Sequence, residues 1–231
     1  MIDIRQGDCL RLLGELADNS VDMILTDPPY GTTANTWDKR VPLDLMWEQF
    51  NRVIKPNGAI VMFAQMPYGA ELICSNKKMF RYEWIWEKSC AMGFFNANKM
   101  PLRAHENILV FYKSLPTYNP QFTQGKPYKN THAPTTNYSP CARTETVNDG
   151  TRYPRDVIKM SRDSNSTHPT QKPVALCEYL IRTYTNEGET VLDPFTGSGS
   201  TGVAAINTGR EFIGIELDEK YYELAKQRLT K

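Results

Sequence analysis

Two short segments of this chain hold residue types that can do chemistry together. The first, Asp27-Pro28-Pro29-Tyr30, follows Val21-Asp22-Met23-Ile24-Leu25-Thr26, an apolar run that reads as a buried strand. The Asp27 carboxylate is therefore expected where that strand ends, at the edge of a sheet where ligands bind. The prolines remove backbone N–H donors and stiffen the turn. The carboxylate and a proline carbonyl then make an acceptor-only corner, suited to a donor such as an –NH₂ group. Tyr30 adds a flat ring on which a base can stack. An aromatic amine is a poor nucleophile because its lone pair is delocalised into the ring. Two acceptors on its hydrogens favour a pyramidal nitrogen and free that lone pair, and electrostatic positioning of this kind is a large catalytic effect. Alone, the tetrapeptide is also compatible with a rigid proline turn.

The second segment, Asp193-Pro194-Phe195-Thr196-Gly197-Ser198-Gly199, sits between a short strand, Thr190-Val191-Leu192, and a helix starting at Ser200. Glycines there allow close backbone approach to a ligand, and the helix start offers unpaired N–H groups. Glu216 ends the next strand, 23 residues beyond Asp193. An acid at about that spacing holds ribose hydroxyls in nucleotide-binding folds. A nucleotide-like cofactor is implied; the residues alone leave NAD in play.

Both segments need a frame that delivers them to one place. Ile2 to Gly7 reads as a strand and Cys9 to Leu16 as a helix. Leu43 to Ile54 is a predicted helix with its apolar residues on one stripe, stopped by Pro56-Asn57-Gly58, and Ala59 to Ala64 is the next strand. Strands are expected around Arg81 to Glu87 and Glu106 to Lys113, with a polar, glycine-containing loop between them. From Ser114 to Ser166 the pattern dissolves, and six of the fifteen prolines fall there. So long an irregular stretch is functional or disordered, and Tyr118, Tyr128, Tyr138 and Tyr153 among Arg and Lys favour a binding insertion. Helices Val174 to Thr185, Ser200 to Thr208 and Glu219 to Leu229 then alternate with strands at 190–192 and 212–215. The expected fold is α/β, a single mostly parallel sheet with helices on both faces. It divides into residues 1–113, an irregular insertion at 114–166, and residues 167–231.

Charge is distributed unevenly. Residues 77–166 carry 14 Lys/Arg and 7 Asp/Glu, a net +7, and the remainder 13 and 19, a net −6. A basic middle suits one phosphate-facing surface, and Lys88, Lys99 and Arg103, in the loop between two strands, are expected to touch phosphates. The five cysteines are scattered without a C-x-x-C pair, and His105, His132 and His168 share no ligand spacing, so no metal site is expected. No apolar run approaches the roughly 20 residues of a membrane span, and the start lacks a signal peptide's shape. The chain reads as cytoplasmic, without membrane contact.

The tetrapeptide and the glycine loop together resemble the amino-methylating DNA methyltransferases, which act on adenine N6 or cytosine N4. Catalytic tetrapeptide first, insertion next and cofactor motif last is similar to their beta group, a circularly permuted order of a Rossmann-like fold. Thr167-His168-Pro169-Thr170-Gln171-Lys172-Pro173 is similar to the family segment that helps hold the methionine part of the cofactor. Gly7-Asp8 resembles the family's contact to the cofactor adenine, and Pro101-Leu102-Arg103 and Glu106 to Lys113 are also similar. The resemblance covers residues 1–113 and 167–231; Ser200 stands where many relatives have threonine. It implies S-adenosylmethionine as cofactor; the acceptor corner and the tyrosine point to direct attack on the methyl by a flipped base, with no covalent enzyme intermediate or metal needed. Asp27, Pro28, Pro29 and Tyr30 would be catalytic. Asp8, His168, Thr170, Lys172, Asp193, Phe195, Thr196, Gly197, Ser198, Gly199 and Glu216 would bind the cofactor. Residues 114–166 would recognise the target in double-stranded DNA, and a homodimer and a cognate restriction nuclease are further partners it raises.

An aspartate at position 27 favours adenine N6 by resemblance, since many cytosine N4 enzymes carry serine there. Cytosine N4 is the alternative. RNA or protein-glutamine methylation, where relatives usually begin the tetrapeptide with asparagine, is a second enzyme reading. A DNA-binding protein that keeps the fold without activity is the non-enzyme reading, and a dinucleotide oxidoreductase is the remaining one.

Overall fold

The element order in the computed structural model, which describes residues 1–31, 38–132, 144–163 and 171–230, follows the alternation of apolar runs. It begins with β1 (Ile2–Gln6), α1 (Cys9–Leu13), β2 (Val21–Thr26), α2 (Leu43–Val53), β3 (Ile54–Ala64) and α3 (Tyr68–Ser75). Two long strands follow, β4 (Phe80–Met92) and β5 (Arg103–Phe111). Next come β6 (Thr123–Gln124), β7 (Tyr128–His132), β8 (Thr144–Asn148), β9 (Thr151–Arg152) and β10 (Val157–Met160). The chain ends with α4 (Val174–Tyr184), β11 (Thr190–Asp193), α5 (Ser200–Asn207), β12 (Glu211–Glu216) and α6 (Glu219–Leu229).

Among the described residues, eight strands form one sheet in the order β1-β12-β11-β2-β3-β5-β4-β10. Every pairing is parallel except those of β5, which runs antiparallel to β3 and β4. The mostly parallel α/β sheet expected from the sequence is what forms. On one face, Leu13 of α1, Phe50 of α2 and Leu72 of α3 pack with Ile24, Ile60 and Leu109. On the other, Leu180 of α4, Ala204 of α5 and Leu229 of α6 pack with Leu25, Val61 and Val110. Sequence neighbours such as Ile60 and Val61 thus enter opposite cores, so the strands read as continuous apolar runs rather than alternations. Each fully buried Leu, Ile or Val among them contributes roughly 1.5–3 kcal/mol relative to exposure.

Some boundaries differ from the pattern. Helix α2 stops at Val53 because Ile54 is already extended (φ −72°, ψ 134°) and pairs with Val21, so β3 begins before Pro56-Asn57-Gly58. The register of β2 with β3 shifts between Val21 and Met23 to take up the extra residues. Gly58 is needed in that shift: a Cβ there would stand 2.7 Å from the Asp22 carbonyl oxygen. Strand β10 was hidden in the stretch without pattern. As an edge strand it buries only Ile158, so it needs no apolar run. The buried Trp86 indole N–H donates to the Met160 carbonyl (2.9 Å) and pins β10 to β4.

The chain divides into two compact units, residues 1–119 with 156–231, and residues 120–155. The second holds two ribbons, β6 with β9 and β7 with β8. Within it the Phe122 and Tyr153 rings meet at 4.9 Å, and the Arg152 guanidinium lies 4.6 Å from the Tyr128 ring centre. This unit is narrower than the 114–166 segment; residues 114–119 and 156–163 belong with the main sheet. Among the described residues no helix is long and apolar enough to cross a membrane.

Candidate active site

Because β1, β12, β11, β2 and β3 are parallel, the residues that end or follow them meet at one edge: Gly7, Glu216, Asp193, Asp27 and Gln65. The reversed β5 starts at this edge with Arg103 to Glu106, and β4 ends there with Lys88 to Met92. Between β11 and β2 the strand order switches direction, and the crevice at such a point takes ligands in open α/β sheets. The Thr26 hydroxyl donates to Asp193 Oδ1 (2.7 Å) across it, tying the two strand ends together.

On the β2 side, the Tyr30 hydroxyl donates to Asp27 Oδ1 (2.6 Å) and the Lys172 ammonium donates to Oδ2. The Tyr30 ring packs against Tyr68, centroids 5.3 Å apart. Arg40 Nε donates to the Tyr30 carbonyl (2.6 Å) while its guanidinium pairs with Glu71 (2.7 Å), and the Gly31 N–H donates to Asp38 Oδ1 (2.7 Å). The turn bearing Pro28 and Pro29 is thus held from its far end as well as from the strand. Burial, and then the charge of Asp27 and Glu106, push the Tyr30 phenol well above its usual range, so it stays protonated and serves as a donor.

Lys172 also lies 3.4 Å from Glu106 Oε2 and 5.1 Å from the Phe63 ring centre. Glu106 Oε1 accepts from Lys88 Nζ (2.5 Å) and Gln65 Nε2 (3.2 Å), and Gln65 Oε1 accepts from Arg103 (3.1 Å). The result is a chain of alternating charges: Asp27, Lys172, Glu106, Lys88. Burial opposes the charge on Lys172, but the carboxylates of Asp27 and Glu106 outweigh it and raise its pKa. Burial likewise opposes ionisation of Glu106, and the ammoniums of Lys172 and Lys88 outweigh it, holding this carboxyl below its usual range. For Lys88 burial wins over its one carboxylate, and its pKa is lowered.

One expectation is corrected by this network. Lys88 lies inside β4 rather than in a loop, with its side chain 4% exposed and paired to a Glu106 side chain 7% exposed. An ammonium enclosed in this way cannot reach a phosphate. Lys172, expected at the cofactor, contacts the catalytic-corner carboxylate at the same sheet edge. Lys99 and Arg103 are exposed at the same edge.

On the β11 side, Asp193 is nearly enclosed, 3% exposed. Its Oδ1 accepts from Thr26 and from the Phe195 N–H (3.1 Å), so its side chain braces the turn from beneath. Burial pushes its carboxyl up to about 6, against the hydrogen bonds from Thr26, Thr201 and Phe195. Thr196 is also tied inward, its hydroxyl to the Asp193 carbonyl (2.9 Å) and its N–H to the Ile215 carbonyl (2.9 Å). Ser198 accepts from Arg228 at its carbonyl (2.5 Å) and hydroxyl (3.1 Å), and Gly199 packs on Ala225. Glu216 accepts from the Gly197 N–H (2.7 Å) and the Asp218 N–H (2.8 Å), and burial raises its pKa. Asp8 caps α1 through the Arg11 N–H (3.0 Å). Phe195 is partly buried against the core. His168 and Thr170 lie outside the described residues.

These residues fit S-adenosylmethionine. Gly197 has φ +53°, and no atom of the described residues lies within 4 Å of where its Cβ would stand, so among them the loop presents bare backbone. The two acids flanking this loop, Glu216 and Asp8, suit the hydroxyl and amino donors of an adenosine. Ser200 Oγ, at the start of α5, is buried and has no hydrogen-bond partner among the described residues.

Glu106, Gln65, Arg40, Tyr68 and Arg228 were not singled out from the sequence. Glu106 left a trace there: it is an acid one residue before an apolar run, Ile108-Leu109-Val110-Phe111. A carboxylate entering a buried strand needs cations, and two supply them.

Comparison with known proteins agrees with this geometry. Residues 21–227 match the N6/N4 DNA methylase family. The type II methyltransferase M.HpaI of Haemophilus parainfluenzae is 31% identical over 236 residues, 96% of this chain and 72% of that protein. The DNA adenine methyltransferase YhdJ of Escherichia coli (strain K12) is 30% identical over 249 residues, 98% and 82% of the two chains. The crystal structure of the M1.HpyAVI–SAM complex superposes with a TM-score of 0.68 at 27% identity, covering 99% of this chain and all of that one. The PvuII DNA methyltransferase (cytosine-N4-specific) shares the fold, with a TM-score of 0.73 at 18% identity over 98% of this chain and 86% of that one. The acceptor corner, the glycine loop beside it and a family match over most of the chain lead to one conclusion: this chain belongs to the N6/N4 DNA methylase family and is an S-adenosylmethionine-dependent DNA methyltransferase.

Proposed function

We propose that the protein methylates the N6 amine of adenine in double-stranded DNA, with Asp27, Pro28, Pro29 and Tyr30 as the catalytic corner. The observation that carries this reading is the carboxylate at position 27, held by a phenol on one oxygen and an ammonium on the other. Many cytosine N4 enzymes of the family have serine there, and a relative 30% identical to this chain is named a DNA adenine methyltransferase.

A carboxylate offers about four acceptor sites, so Tyr30 and Lys172 leave room for an amine N–H on Asp27. The Pro28 carbonyl is the second acceptor. With both amine hydrogens held, the nitrogen lone pair turns away from conjugation with the base. Tyr30 provides the stacking face, and its protonated hydroxyl fixes the rotamer of Asp27. Lys172 donates to that carboxylate, and Glu106 shares its ammonium. When bound, S-adenosylmethionine supplies an electrophilic methyl group on its sulfonium. Glu216, Asp8, Phe195 and the backbone of Thr196 to Gly199 would hold it, while Asp193 acts from below by shaping the turn. Residues 120–155 would read the sequence around the target.

Long-read sequencing of DNA from cells expressing the protein, beside cells expressing Asp27→Ala, tests this reading. N6-methyladenine in one sequence context, absent with the variant, is the expected result. N4-methylcytosine in its place would move the assignment to the other base.

A further inference from the structure

The turn between β4 and β5 presents two phenylalanines to solvent at the catalytic edge. Phe95 is fully exposed and Phe94 is 70% exposed, with Met92 and Met100 half-exposed beside them. The tip that carries them is ordered by its own backbone. Gly93 adopts φ +96°, the Asn96 and Ala97 N–H groups donate to Gly93 and Phe94 carbonyls (2.9 and 3.1 Å), and the Lys99 and Met100 N–H groups donate to the Asn96 carbonyl (2.9 and 3.0 Å). Large apolar side chains held out on a structured tip mark a surface that is covered by a partner.

The surroundings identify that partner as DNA. From Lys88 to His105 there is no acidic residue, and Lys99 and Arg103 are exposed on the same turn. The root of the turn is joined to the catalytic corner by the contacts Arg103–Gln65–Glu106 and Lys88–Glu106–Lys172–Asp27. A duplex whose target base reaches Asp27 therefore lies against this edge. An enzyme that works on a base amine must take that base out of the stack, and apolar wedges inserted between base steps are one way proteins stabilise such a gap.

We propose that Phe95, backed by Phe94, is an aromatic wedge that enters the duplex at the target base pair and stacks in the space the extruded base leaves. The role rests on the DNA methyltransferase activity and holds for either target base. Phe95 is a positioning residue: it stabilises the opened duplex and does not touch the amine.

The test is single-turnover methyl transfer on two duplexes carrying the recognition sequence found by sequencing. In one the target base is paired; in the other it faces an abasic site, so that no pairing has to be broken. Phe95→Ala should slow transfer about 10- to 100-fold on the paired duplex and much less on the abasic one, as expected when only the opening step is affected. Phe95→Trp should restore the paired rate. Equal slowing on both duplexes, or no slowing on the paired one, overturns the wedge. A change in sedimentation of Phe95→Ala with an unaltered ratio between duplexes would assign the surface to contact between copies, and also overturns it. The wild-type rate on the paired duplex checks the base and sequence assignment separately, so failure there is distinguishable from failure of the wedge.

Discussion

Asp27 and Asp193 are near twins in the sequence: each ends or follows a buried strand, and each precedes a proline. Their strands are neighbours in the sheet. Their surroundings nevertheless differ in kind. Asp27 keeps 27% of its side chain exposed and meets a phenol and an ammonium. Asp193 is 3% exposed and meets hydroxyls and a backbone N–H, with no cation among the described residues, and burial pushes its carboxyl up to about 6. The same dipeptide thus makes an accessible acceptor in one place and a brace for a turn in the other. Supply of positive charge and access to solvent decide between the two.

The largest effect is expected at Asp27. Asp27→Ala should reduce single-turnover methyl transfer by at least about 10³-fold while calorimetry shows S-adenosylmethionine binding retained. Substantial activity in that variant would break the contrast outright. Below it, the buried network is tested by Lys88→Met, which leaves Glu106 with one cation in place of two. Unfolding in urea should show a loss of roughly 3 kcal/mol, as for breaking other buried pairs, and the salt dependence of DNA binding should be unchanged. A shallower salt slope would return Lys88 to the DNA surface.

Asp193 titrates with the opposite sign to a salt-bridged acid. Its folded pKa of about 6 exceeds the ordinary 3.8, so its contribution to stability is present below about pH 4 and is lost as pH rises through 6. Asp193→Asn removes that titration. Its stability relative to wild type, from urea unfolding, should rise between pH 4 and 7.5 by up to about 3 kcal/mol. A constant difference across that range would show that the carboxyl ionises normally. The smallest effects belong to the rim. Lys99→Ala and Arg103→Ala should each reduce the logarithmic salt slope of DNA affinity by about 0.9 if each side chain meets one phosphate, and unchanged slopes would remove them from the DNA surface.

Much of this was legible in the residues. Buried parallel strands are apolar along their whole length, so β2, β3 and β5 were visible as runs and the tetrapeptide could be placed at a strand end. The glycine loop was visible because turns of that kind need particular residues at particular positions. Helix α3 was not, since its eight residues bury only Tyr68, Gly69 and Leu72 and present too short a stripe. Strand β10 was not, since an edge strand buries little. Lys88 was misread because a lysine beside a polar loop looks solvated until its partner on β5 is known.

The sequence by itself determined the chemistry and the plan: an acid, two prolines and a tyrosine after one strand, a glycine turn after another, and a strand–helix rhythm that makes one sheet. These are local properties, set by backbone preference and by the period of apolar residues. Only the tertiary structure decided who neighbours whom. Lys172 reaches Asp27 across 145 residues of chain, and Thr26 reaches Asp193 across 167. Charge compensation and burial act through space, and they are settled only when the strands have taken their places in the sheet.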